Sequence, residues 1–137
     1  MIYEKSLAIP KSTPASSPTT GTIPVHPGVL KQVDIDFPAG CVGLVHIVIR
    51  YRERQVFPAN PDSSFTGDDV HLVFPEDMDL TDVPYEFTVH GWNEDDTYAH
   101  TPIVRMQIIP HDRGVGAVLS MLVVGRGSLV SGTGEGG

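Results

Sequence analysis

The chain has 137 residues, 40% of them apolar and 19% charged, which is the balance of one globular domain and excludes both a disordered polymer and a pair of domains. Its formal charge of −8 argues against nucleic acid and anionic membranes as partners, because both select basic patches. The single cysteine, Cys41, excludes an internal disulfide and a cysteine-based zinc site, and no run reaches the roughly 18 apolar residues of a membrane helix.

Residues 1–28 read as an extended N-terminal arm. No basic stretch leads into an apolar run, so a chain made in the cytoplasm is expected. Ile2 to Ile9 suits one short strand. Lys11 to Thr22 is polar, Pro-rich and without period, which favours solvated, extended backbone. Two readings stay open: a loose terminus, and an arm lying across a neighbouring subunit.

Residues 29–110 read as the body, a β-sandwich domain. The 14 glycines and 12 prolines punctuate the chain too often for long helices. Val33, Ile35 and Phe37 alternate with polar residues, which predicts a half-buried strand. Pro38-Ala-Gly40 predicts a turn. From Val42 to Tyr51 both faces are largely apolar, so this strand is expected at a central position. Gln55 to Phe57 is a short strand ended by Pro58, and Asn60-Pro-Asp62 is a turn. Val70 to Phe74 alternates again, and Pro75 to Pro84 reads as an acidic loop. Tyr85, Phe87, Val89 and Gly91 alternate with Glu86, Thr88, His90 and Trp92, followed by a turn at Asn93 to Asp96. Ile103 to Ile109 closes the body.

Residues 111–137 form an apolar, Gly-rich C-terminal tail. Ala117 to Val124 is nearly continuous apolar sequence with β-branched content, so a strand is expected, with a helix as second choice. Such a strand left bare invites aggregation, so its own body or a neighbour must cover it. Short strands with turn residues between them predict an all-β fold, a small antiparallel β-sandwich of the immunoglobulin-like kind. The Cys–Trp–Cys signature of antibody domains is absent.

No catalytic, cofactor or metal site is expected. His26, His46, His71, His90, His100 and His111 show no metal-ligand spacing, although His46, His71 and His90 fall in strands and could meet in space. Asn93-Glu-Asp-Asp96 gathers carboxylates, but Tyr98 stands where a calcium loop of the EF-hand type needs glycine. Asp34 and Asp36 share a strand face without a nucleophile or orienting group nearby, so a solvated face is expected rather than acid–base work. Arg50, Arg52 and Arg54 form the basic cluster of an acidic chain and suit carboxylates on a partner, against the plainer reading of a solvated strand end. Val118, Leu119, Leu122 and Val123 in the tail are the apolar candidates for partner contact. Trp92, Tyr85 and Tyr98 could stack on a sugar, although such aromatics more often serve packing.

Phe37-Pro-Ala-Gly-Cys-Val-Gly-Leu-Val45, the Asn60-Pro-Asp62 turn and the Gly91 to Thr101 segment resemble the small β-sandwich accessory proteins of tailed bacteriophage virions. The resemblance spans roughly residues 20–110 and carries no catalytic residue. It implies a capsid decoration or cement protein located in the virion. Its implied partner is the major capsid protein or another virion protein. A homo-oligomer, for example a trimer, is expected, built by strand addition from arm and tail. The rival expectation is a glycan-binding or adhesion module using Trp92, Tyr98 and the Asn93–Asp96 loop. An enzyme is not expected.

Overall fold

The structure is a computed structural model that describes residues 1–111. Its eight strands are β1 (Ile2–Ser6), β2 (Thr19–Pro24), β3 (Gly28–Phe37), β4 (Val45–Tyr51), β5 (Arg54–Phe57), β6 (Val70–Asp79), β7 (Glu86–Asn93) and β8 (Ile103–Pro110). They make two four-stranded sheets, ordered β1-β8-β3-β6 and β2-β7-β4-β5. Every pairing is antiparallel. The chain is an all-β sandwich, as its alternation predicts.

The core follows from the two-residue period. Val33, Ile35 and Phe37 of β3 and Val104, Met106 and Ile108 of β8 point inward and are fully buried. Val45, Ile47 and Ile49 of β4 and Phe87 and Val89 of β7 meet them from the other sheet. Each such side chain contributes about 1.5–3 kcal/mol by leaving water. β4 lies between β7 and β5, the central position its two apolar faces predict.

The N-terminal segment differs from the expected arm. It is extended, but it pairs within its own chain. β1 lies along β8 and β2 along β7. Between them, Leu7 and Ile9 are buried, and bridges Ile9–His100 and Thr13–Asn93 hold the connection to the body. The pattern is hidden because inward positions of β2 and β7 are glycines, Gly21 and Gly91. A Cβ on Gly91 would stand 2.4 Å from Ile9 Cδ1 and 3.0 Å from Leu7 Cδ2. A Cβ on Gly21 would stand 2.9 Å from Lys5 Cε and 3.1 Å from Leu7 Cδ1. The sheet leaves out side chains where Leu7 and Ile9 enter, so Thr20-Gly21-Thr22 reads as polar although its central glycine is on the inward side.

β6 also runs further than expected, through the segment read as the start of an acidic loop. Pro75 is tolerated because β6 is an edge strand, where a missing N–H need not break a ladder. The tail from residue 112 onward lies outside the described part of the chain, and so do Val118, Leu119, Leu122 and Val123.

Candidate functional site

The outer face of the first sheet is a set of matched charges. Asp34 and Asp36 share this face, as predicted, and both lie near Arg105 in register. Arg105 Nε donates to Glu4 at 2.8 Å, and its Nη1 is 3.8 Å from Asp36. The hydrogen bond to Glu4 is the main reason the guanidinium is held above its usual pKa. Asp34 takes a hydrogen bond from Gln32 at 2.9 Å and lies 3.2 Å from His71 Nε2. The face is partly exposed, and its carboxylates are partnered by Arg105, Gln32 and His71. Such exposed pairs contribute little to stability.

The histidines do not converge. His46, His71, His100 and His111 each lie beside a carboxylate, respectively Glu94, Asp34, Asp95 and Asp79. Among the described residues, no three potential ligands gather for a metal ion.

The Asn93–Asp96 turn, read from sequence as a carboxylate loop, is folded in on itself. Buried Asn93 donates from Nδ2 to the Tyr98 carbonyl at 3.0 Å, and its Oδ1 accepts from Asp95 N at 2.9 Å. Asp95 accepts from Thr97 N at 2.9 Å, and its Oδ2 is 2.8 Å from His100 Nε2. The His100 contact, then the Thr97 amide, hold the Asp95 carboxyl below the ordinary aspartate pKa. The N-terminal segment is tied to the same turn. Ser12 N donates to Asp95 O at 2.8 Å, and Asn93 N donates to Thr13 O at 3.0 Å. The turn therefore organises the strand connection. Tyr98 is 67% exposed, and neither it nor Tyr85 joins Trp92 in a groove. Cys41 is fully buried, and burial, then Asp68 and Asp95, push its thiol up to about 11, the opposite of an activated nucleophile.

The outer face of the second sheet carries a groove. Register places His46 opposite Trp92, Val48 opposite His90 and Arg50 opposite Thr88. His46 stacks on Trp92 with ring centroids 4.9 Å apart and planes 4° from parallel. Its Nδ1 is 2.8 Å from Ser64 Oγ. Its Nε2 is sealed from solvent, with Glu94 Oε2 3.1 Å away but outside hydrogen-bond geometry. The loop after β5 forms a wall. Gln55 Nε2 fixes it by donating to the carbonyls of Pro58, Asn60 and Ser63 at 2.8, 3.0 and 3.1 Å. Between wall and sheet lies a groove of about 220 Å³, bordered by Arg50, Asp62, Ser63, Ser64, His90 and Trp92. Burial, and then the charge of Arg50, push the His90 pKa down, so its ring is neutral at pH 7.

The arginine cluster divides. Arg50 borders this groove, whereas Arg52 and Arg54 border a separate hollow with Tyr51, Met78, Asp79 and Asp82. Arg52 and Glu53 both take left-handed backbone, with φ of 53° and 67°, as a two-residue hairpin between β4 and β5 requires. Sequence reasoning found Arg50 and Trp92 but did not join them. The missing signal was the β4–β7 register, which no local pattern specifies.

The margin formed by β5 and β6 is the other open feature. β6 has ten residues and, among the described residues, pairs only with β3. Its first half, Val70-His71-Leu72-Val73-Phe74, is apolar apart from His71, and Val73 is 49% exposed. Its second half, Pro75-Glu76-Asp77-Met78-Asp79, carries a proline and three acids. Those are the devices by which sheets protect an edge from strangers. No known protein family matches the chain, and no curated protein matches it.

Proposed function

We propose that the chain is a non-catalytic binding protein, an accessory subunit of a virus particle of the decoration or cement kind. It joins the shell, and neighbouring copies of itself, by accepting a strand along β6. The observation that supports this reading is the ten-residue edge of β6, unpaired on its outer side among the described residues. Main-chain donors and acceptors along such an edge give affinity, and alternate side chains give specificity. The guarded half, from Pro75 to Asp79, confines pairing to Val70–Phe74. Repetition on a symmetric shell multiplies weak contacts through effective concentration.

The test is sedimentation from particle-producing cells. The chain is expected to travel with particles, and Val73→Lys is expected to remain folded yet stay in the soluble fraction. A wild-type chain recovered wholly free of particles overturns the reading. A second reading, a glycan-binding module, is favoured by one observation, the walled groove beside Trp92.

A further inference from the structure

We propose that the groove on the outer face of the second sheet holds a single saccharide unit, with Arg50 and Asp62 on its hydroxyls and Trp92 against its ring. The proposal rests on the glycan-binding reading and gives it a site different from the Tyr98 loop.

A pyranose ring presents a rim of hydroxyls, each both donor and acceptor, around apolar C–H faces. A site for it needs donors, an acceptor and a flat apolar surface within one ring's reach. This groove has all three. Arg50 supplies guanidinium donors, Ser63 and Ser64 supply hydroxyls, and Asp62 supplies a carboxylate acceptor. Trp92 supplies the aromatic surface. His90, neutral at pH 7, offers one donor and one acceptor and adds no charge. The volume of about 220 Å³ falls below the roughly 300–1,000 Å³ of drug-sized pockets, which suits one ring rather than an extended ligand.

Arg50 is available for this role. Lys31 and Arg105 are engaged by carboxylates, but among the described residues no carboxylate lies within salt-bridge distance of Arg50. Its one intramolecular hydrogen bond, to the Glu53 carbonyl, is long at 3.4 Å. Arg52 and Arg54 are equally without an ion pair among the described residues, but of the three only Arg50 borders this groove. Asp62 in the same groove disfavours a purely anionic ligand such as free phosphate and favours a hydroxylated one.

The site is also held in place before any ligand arrives. Arg50, His90 and Trp92 stand on paired strands. Ser64 holds His46, and His46 stacks on Trp92 and fixes its orientation. Gln55 locks the loop that carries Asp62 and Ser63. Preorganisation of this kind lowers the cost of binding.

Trp92 is the only tryptophan, so its fluorescence reports on the groove directly. The full chain is screened on a glycan array, and the terminal monosaccharides of its hits are titrated while that emission is followed. A saturable change is expected. Arg50→Lys and Asp62→Asn are each expected to weaken binding about tenfold, the scale of one hydrogen bond to a charged group. Both should leave thermal unfolding unchanged, since neither side chain is in the core. Glycans that bind both variants as tightly as wild type, without moving Trp92 emission, overturn the groove while leaving the glycan reading intact. An array without specific hits overturns both.

Discussion

At one margin of the sandwich β1 and β2 meet, and the segment between them drives Leu7 and Ile9 into spaces left by Gly21 and Gly91. At the opposite margin β6 ends one sheet and β5 the other. There the gap is bridged by the ring of Phe65 stacked on Phe74, with centroids 4.8 Å apart, while Val73 stays half exposed. The first margin is finished by the chain itself. The second is protected over half its length by Pro75 and acids and left receptive over the rest. The difference teaches that the fold does close edges in cis where it has a segment shaped for the purpose. Among the described residues the Val70–Phe74 half of β6 has no such segment, which is why strand addition is proposed there.

The closed margin should fail first when its plug is removed. Ile9→Ala is expected to cost about 2–5 kcal/mol, the range for emptying a fully buried aliphatic position, measured by denaturant unfolding. Filling the socket instead of emptying the plug should hurt almost as much. Gly91→Ala places a Cβ 2.4 Å from Ile9 Cδ1 and is expected to cost about 1–3 kcal/mol by overpacking. If either variant unfolds like wild type, the N-terminal segment does not close this margin.

The same margin carries a pH signature. Asp95, tied to Ser12 and His100, has a folded pKa below its unfolded value. Its contribution to stability is therefore present above the unfolded pKa and is lost as pH falls through the folded one. The stability gap between wild type and Asp95→Asn should be constant near neutrality and close in acid, below the ordinary aspartate range. A gap that instead opens as pH falls contradicts the assignment.

Much of this architecture was legible in the sequence. Strands β3, β7 and β8 announce themselves through apolar residues alternating with polar ones, which burial follows, and β4 through apolar residues on both faces, which marks its central position. β1 and β2 read as an arm because the inward positions of β1 are Tyr3 and Lys5 and those of β2 include Thr19 and Gly21, a set without a hydrophobic alternation. β6 was cut short at Pro75 because a proline reads as a stop unless the strand is known to lie at an edge. The carboxylates of Asp34 and Asp36 were rightly placed on one outer face. The groove was not legible, because Arg50, Asp62 and Trp92 come from three separate parts of the chain and only the β4–β7 register and the Gln55-locked loop bring them together.

The smallest expected effect on folding belongs to the open margin. Val73→Lys touches no core contact and should change stability by no more than about 0.5 kcal/mol, yet it places a charge in the receptive half of β6. Hydrogen exchange across that strand is the most direct measurement, comparing the isolated chain with the assembly it copurifies with. In the isolated chain, the Val70–Phe74 amides that point away from β3 should exchange quickly. In the assembly those same amides should become protected, while β1 and β8 remain as they were. Protection that develops elsewhere and leaves Val70–Phe74 exchanging freely would contradict strand addition at β6.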